Sequence, residues 1–161
     1  MRLITLTRFV AMVSAGLLAG IFLGHRMGAT FALPTLPASS FVQFQQVVHV
    51  HYVQFMPVLQ IAATFGSLIW LFLIRGRPRT AEFALLTVCA VGAIVVFAVT
   101  MIVNVPINNE LMTWSVLSPP ENLLEIWRPW DDVNTFRTIV AISVFCLEIL
   151  ALSMTMSDGP T

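Results

Sequence analysis

The 161-residue chain is 58% hydrophobic and only 10% charged, and its eight basic and eight acidic residues give a formal net charge of zero. A soluble domain of this size cannot bury so much apolar surface, which excludes the soluble globular class and makes a lipid bilayer the expected solvent. The balanced charge, with no basic patch between aromatic residues, excludes nucleic acid as a partner.

The first apolar run, about residues 7–24, carries Gly16, Gly20 and Gly24 at four-residue spacing. Small residues at this spacing predict a face on which a neighbouring helix approaches closely. The segment also resembles a signal peptide. A retained helix is favoured, because the run is long for such a peptide and no small-x-small cleavage site follows closely.

The second run, about residues 41–74, contains no charged residue and follows a proline-containing segment, 33–40, that is predicted to be a loop. We expect Ser40 to cap its helix. A helix of this length would measure about 50 Å, whereas a bilayer core needs about 30 Å. Its glutamine- and histidine-rich first turns should therefore stand at the membrane boundary, and Pro57 should kink the remainder.

A basic turn at 75–79 separates this run from the third, about residues 80–103. A connection at 104–132, either a lid or an anchor, leads to the fourth run, about residues 133–156, and a tail at 157–161 that is expected to fray. These runs predict an all-α fold, a single integral membrane domain over residues 1–161 with four transmembrane helices. Two cysteines inside the runs, Cys89 and Cys146, are expected to be buried and inert.

Arginine distribution predicts the orientation of the bundle. Five arginines lie near the start of the chain or in the basic turn, and so on one side of the predicted bundle: Arg2, Arg8, Arg75, Arg77 and Arg79. The positive-inside rule then places both termini in the cytoplasm, with the helices running up-down-up-down. We expect a multi-pass protein of a bacterial-type plasma membrane.

With this topology, polar residues from all four helices meet at the outer end of the bundle. Gln45 and His49 are spaced i,i+4, and Asn134 and Arg137 are spaced i,i+3, so each pair shares a helix face. His51 should point away from the face that carries His49. Arg137 needs an anionic or carbonyl partner at this depth, for which candidates are Glu110, Asp131, Asp132 or a ligand.

Structural roles compete with functional ones for all these residues. The tryptophans are also typical interfacial anchors, Asn104 and Asn108 are also suitable helix caps, and Arg137 could instead extend to the lipid surface. Glu148, near the middle of the fourth run, is expected either to make a buried hydrogen bond or to relay protons.

The Asn-Val-Pro-Ile-Asn-Asn sequence at 104–109, followed by Trp130 and by Asn134-x-x-Arg137-Thr138, resembles the anthrone oxygenase-like family of small four-helix membrane proteins. The glutamine-rich opening of the second helix is also similar. The resemblance implies oxidation of anthrones to anthraquinones by dioxygen in polyketide pathways. It further implies that Asn104, Asn108, Asn134 and Arg137 form the polar lining of the site.

We therefore interpret the chain as an oxidoreductase, an oxygenase for a lipid-soluble phenolic or anthrone-like substrate. His49 would be the base, and Asn108, Asn134 and Arg137 would stabilise the oxyanion. Further contacts to the substrate are expected from Gln45, Asn104, Trp114, Trp127 and Trp130.

The cofactor is either none or a copper or iron ion held by His25, His49 and His51. The expected partners are the bilayer, the aromatic substrate, dioxygen and a possible second copy of the chain. The alternatives are a non-catalytic assembly protein and a small proton-coupled carrier.

Overall fold

A computed structural model describes residues 2–157. The helices are α1 (Leu3–His25), α2 (Ala38–Leu73), α3 (Ala81–Val99), α4 (Val105–Leu111) and α5 (Leu123–Ser157). A π-helical turn (Arg26–Thr30) and a 3-10 turn (Leu33–Thr35) follow α1, and a second π-helical turn (Thr100–Asn104) joins α3 to α4. Within residues 2–157 there is no β-strand, which confirms the all-helical class. Of the tail expected to fray, residues 158–161 lie outside the described part.

Four helical segments are long and apolar enough to cross a membrane: Leu3–Thr35, Ala38–Leu73, Ala81–Leu111 and Leu123–Thr155. Their outer surfaces carry large exposed apolar side chains, among them Val58, Phe65 and Ile102. Such surfaces are compatible with contact to lipid rather than water. The four segments indicate a multi-pass membrane protein, as the composition predicted.

The helix boundaries differ from the predicted ones mainly around the connection at 104–132. The third apolar run continues through the π-helical turn into α4, since Pro106 lies in the first turn of α4, where its missing N–H is tolerated. The last helix begins at Leu123 rather than near residue 133, although it contains Pro129. Burial of Trp127 and Trp130 stabilises this extension, because tertiary packing outweighs the local helix-breaking signal.

The second helix also begins earlier than predicted. Pro37 is its N-cap residue, with an extended backbone, so the expected cap at Ser40 is wrong. Part of the predicted loop at 33–40 is a 3-10 turn. Proline at the boundary fixes its own backbone angle and can precede a helix without losing a hydrogen bond.

Close helix contacts occur at fewer glycines than the small-residue pattern predicted. A Cβ atom at Gly16 would lie 2.8 Å from the Phe145 ring, but Gly20 and Gly24 have open space around them. The α1 and α2 helices approach each other closely at Gly66, where a Cβ atom would lie 2.8 Å from the Cα atom of Ala11. The glycine that brings α1 and α2 together is therefore on α2.

One end of the bundle is closed by an apolar cluster of Ala11, Trp70, Ile74, Leu86 and Ala151. Beside this cluster, Arg8 Nη2 donates to Glu82 Oε1 over 2.9 Å, and the Trp70 indole N–H donates to the same carboxylate oxygen over 3.4 Å. Breaking a buried ion pair by removing one partner is costly, so Arg8 and Glu82 tie α1 to α3. This network stabilises the end opposite the candidate site.

Glu148 lies in the bundle interior with no exposed surface, and the Ser67 hydroxyl donates to its Oε1 atom over 2.6 Å. This is the buried hydrogen bond that was one of the two expectations for Glu148. Cys89 is buried, but Cys146 is exposed on the outer surface, so the prediction of two buried thiols is wrong for Cys146. Cys146 follows the buried Val144 by two residues, a rotation of about 200° around the helix, so its side chain lies on the opposite face.

Candidate functional site

A cavity of about 450 Å³ lies between α1, α2, α5 and the segment formed by α3, the π-helical turn and α4. Its volume falls within the range typical of small-molecule sites. Most of its wall is apolar, and the polar side chains are few. Those predicted from the sequence that line it are His25, Gln45, His49, Asn108, Trp130, Asn134 and Arg137.

Arg137 lies in the wall of this cavity with only 8% of its surface exposed. Its Nε atom donates to Asn134 Oδ1 over 3.1 Å, and its Nη1 atom donates to the Thr100 hydroxyl over 3.4 Å. The guanidinium also lies over the rings of Phe22 and Trp130, at 4.4 and 5.3 Å from their centroids. Contacts with neutral groups and aromatic faces hold the side chain inside the bundle, so it does not extend to lipid.

Within residues 2–157, no carboxylate forms an ion pair with Arg137. Asp131, one of its predicted partners, instead accepts from Arg26 Nη1 over 2.9 Å. Glu110 and Asp132, the other two, are exposed. A buried cation with neutral partners has an uncompensated charge, and an anionic oxygen in the cavity would stabilise it.

Three other buried nitrogen atoms around the cavity have no hydrogen-bond partner in the described part of the chain: Asn134 Nδ2, Trp130 Nε1 and His25 Nε2. The first two can only donate a hydrogen bond. Buried polar groups in proteins are nearly always paired with protein, water or ligand. The lining therefore offers donors, beside one fixed positive charge, to an acceptor oxygen.

Asn104 is nearly fully buried but does not line the cavity. Its Nδ2 atom donates to the backbone carbonyl of Trp130 over 3.1 Å, which ties the π-helical turn to α5. Thr100 and Asn104, the first and last residues of the π-helical turn, both contact α5, Thr100 through the Arg137 side chain and Asn104 through the Trp130 carbonyl. Asn104 thus fixes the backbone at Trp130 from outside the cavity wall.

The three histidines occupy different environments. His49 and His25 line the cavity, whereas His51 is exposed and lies outside it. The His25 ring packs edge-on against Trp130, with centroids 5.5 Å apart. In the described residues, no three His, Cys, Asp or Glu side chains are close enough to hold a metal ion, so the three histidines do not form such a group.

The three tryptophans predicted to contact the substrate also lie in different environments. Only Trp130 lines the cavity, and Trp127 stacks on it with centroids 5.8 Å apart. Both belong to an apolar cluster, here called the tryptophan cap, which consists of Leu33, Phe41, Val42, Leu111, Leu123, Trp127 and Trp130. Trp114 packs against this cluster from outside.

Residues that the sequence analysis did not select also shape the site. Phe22, Tyr52 and Thr100 line the cavity. Gln46 Nε2 donates to the backbone carbonyls of Leu111 and Trp114, over 3.1 and 2.9 Å, and so fixes the end of α4 to α2. Spacing could have found Tyr52, which is i+3 from His49, but no local spacing pairs Thr100 with Arg137, because 37 positions separate them in the chain.

A family model described as anthrone oxygenase matches residues 44–147. No curated protein and no solved structure matches the chain. The matched range covers more than half of the 161 residues and contains α3, the π-helical turn, α4 and the cavity-lining residues of α2 and α5. The chain therefore belongs to the anthrone oxygenase family.

Proposed function

We propose that this protein is a membrane-embedded oxygenase that oxidises a lipid-soluble phenolic aromatic of the anthrone type with dioxygen inside the 450 Å³ cavity. The observation that carries the proposal is the buried guanidinium of Arg137. It has no carboxylate partner within residues 2–157 and lies beside the unpartnered amide nitrogen of Asn134. Family membership supports the oxygenase class.

An anthrone fits the character of this lining. Its fused rings are apolar and planar, which suits the aromatic and aliphatic wall. Its single carbonyl oxygen becomes an enolate oxygen when the acidic C–H bond at the opposite ring carbon is broken. Arg137 and Asn134 then hold the oxygen on which the negative charge develops, and this lowers the energy of the ionised form.

His49 is the proposed base, because it lines the cavity and an imidazole accepts a proton near neutral pH. Removal of the C–H proton gives the enolate, whose electrons reduce dioxygen. One oxygen atom becomes the new carbonyl oxygen of the anthraquinone. The other leaves as water with the two hydrogen atoms lost from the ring carbon. Asn108 contributes a further amide to the lining.

Oxygen uptake by the purified protein in lipid vesicles tests the proposal. We expect one dioxygen to be consumed per anthrone. Arg137→Ala should lower kcat by about 10²–10³, the usual effect of losing an oxyanion donor. His49→Ala should lower it by about 10²–10⁴, the usual contribution of a general base.

Two matched substitutions serve as controls for this assay. His51→Ala and Arg128→Ala remove the same side-chain types from exposed positions outside the cavity, and should leave the rate unchanged. Wild-type rates for both His49→Ala and Arg137→Ala would contradict the assignment of this cavity as the active site.

We further propose that the helices run up-down-up-down in a bacterial plasma membrane with both termini in the cytoplasm. The support is the arginine asymmetry, since the basic turn at 75–79 and the N-terminal segment are on the same side of the membrane in that topology. The cavity then lies in the outer half of the bundle.

A further inference from the structure

One side of the cavity is bordered by apolar side chains that are themselves exposed. Val53 and Ile61 on α2 line the cavity and are each 49% exposed. Facing them, Phe97 on α3 and Met101 in the π-helical turn also line the cavity, and they are 37% and 50% exposed. A side chain that both faces a cavity and is exposed on the molecular surface stands at an opening. The border between α2 and α3 is therefore where the cavity meets the exterior.

This border, here called the side opening (Val53, Pro57, Ile61, Phe97 and Met101), lies at a level of the bundle that faces hydrocarbon. Val53 and Ile61 are the sixteenth and twenty-fourth of the 36 residues of α2. Neighbours on the outer surface at this level are large, apolar and exposed, as Val58 and Ile102 show. No charged residue belongs to the border. A water-soluble molecule would thus have to cross an apolar rim.

The end of the cavity towards α4 is closed by contrast. The tryptophan cap packs across it, and Leu111, Trp127 and Trp130 have little exposed surface. The two hydrogen bonds from Gln46 to the carbonyls of Leu111 and Trp114 hold the following connection against α2. The α5 wall, with Asn134 and Arg137, is also buried.

We propose that the side opening is the path by which an uncharged, lipid-dissolved aromatic molecule passes from the bilayer into the cavity. This path rests on the proposed function in one respect only, namely that the molecule passing through it is the substrate. The apolar rim admits the neutral keto form, which loses its proton only after it reaches Arg137. Because moving an anion through hydrocarbon is costly, aromatic carboxylates are excluded at the rim.

The path is tested without substrate by labelling a thiol placed inside the cavity. Thr100→Cys, in a Cys89→Ser and Cys146→Ser background, puts a thiol beside the Arg137 guanidinium, which favours the reactive thiolate. The reagents are pyrene maleimide, supplied in the lipid phase of the vesicles, and a charged sulfonatoethyl methanethiosulfonate, supplied in the water on both sides. We expect labelling by the first reagent and none by the second.

Narrowing the side opening should slow this labelling. Val53→Phe with Ile61→Phe should lower the rate with pyrene maleimide by about tenfold or more, since access limits association when a path is obstructed. Val47→Phe with Val58→Phe is the matched control, because both valines are exposed on α2 and neither lines the cavity. The Thr100→Cys protein with this control pair should be labelled at the same rate as the Thr100→Cys protein with an unchanged side opening.

Each other outcome overturns the proposed path. Equal rates for the two phenylalanine pairs would place the path elsewhere, and labelling by the charged reagent would show access from water. Failure of both reagents would show that the side opening is closed. Labelling needs no turnover, so a failed oxygenase assay would overturn the proposed function and leave the path untouched. An active oxygenase whose two phenylalanine pairs are labelled at equal rates would overturn the path and leave the proposed function untouched.

Discussion

At the scale of single residues, the site depends on a buried arginine whose partners are all neutral. Asn134 Oδ1, the Thr100 hydroxyl and two aromatic rings surround the guanidinium of Arg137. This arrangement holds the side chain in place but leaves its charge uncompensated. The positive charge is therefore free to stabilise an anionic oxygen in the cavity, which in the proposed reaction is the enolate oxygen and which a built-in carboxylate would displace.

Asn134→Asp tests this interpretation with a substitution of nearly the same shape. The new carboxylate would lie at the position of the present acceptor, 3.1 Å from Arg137 Nε, and would pair with the guanidinium. We expect the protein to remain folded with an unchanged or higher melting temperature. We expect kcat for anthrone oxidation to fall about 10²-fold, the loss usual for one oxyanion donor.

Asn109→Asp is the control for this substitution, because Asn109 is exposed and does not line the cavity. It adds the same charge nearby and should leave activity unchanged. Full activity in Asn134→Asp would show that a free positive charge at Arg137 is not needed for the reaction.

At the scale of the helices, two kinds of contact set the shape of the cavity. The close approach at Gly66 brings α1 against α2 below the cavity, whereas the hydrogen bonds of Gln46 hold α4 and its following connection against α2 above it. Between these two levels, residues of α2 and α3 line the cavity.

Gly66→Ala should destabilise the protein, although alanine favours helices. Its Cβ atom would meet the Cα atom of Ala11 at 2.8 Å, and a backbone atom cannot move aside easily. Overpacking of this kind costs about 1–3 kcal/mol, more than the gain of about 1 kcal/mol in helix propensity. Gly20→Ala, with open space around it, should be neutral or stabilising in the same thermal unfolding measurement.

Gln46→Leu should loosen the connection between α4 and α5. The substitution leaves the carbonyls of Leu111 and Trp114 without this donor, at an expected cost of about 1–3 kcal/mol. Limited proteolysis in vesicles should then cleave within 112–122 faster than in the wild type. Gln43→Leu, at an exposed position, is the control, and equal cleavage of the two variants would show that Gln46 does not hold the connection.

At the scale of the whole molecule, the outer surfaces of the four long segments are apolar and are compatible with contact to lipid. The proposed orientation rests on the arginines. We expect a fluorescent protein fused to the C-terminus to fluoresce in a bacterial host and a C-terminal alkaline phosphatase to be inactive. Replacing Arg75, Arg77 and Arg79 together by glutamine should give a mixed orientation, detected by phosphatase activity.

Much of the architecture was predictable because it follows from local rules. Four apolar runs predicted four helices long enough to span a membrane. The i,i+4 and i,i+3 spacings predicted one shared interior space for four polar side chains, and all four line the cavity: Gln45, His49, Asn134 and Arg137. The extents of α4 and α5 were not predictable. Pro106 lies in the first turn of α4, where a proline is tolerated, whereas the break that Pro129 signals locally is outweighed by the packing of the tryptophan cap.

The amino-acid sequence by itself determined the membrane solvent, the helical class and the residue types of the polar layer, because each depends on composition or on helix periodicity. Only the tertiary structure decided that Asp131 pairs with Arg26, so that Arg137 has no carboxylate partner within residues 2–157. It also decided that the Thr100 hydroxyl accepts a hydrogen bond from the guanidinium. Pairing between residues far apart in the chain depends on where whole helices lie, and no local pattern specifies that position.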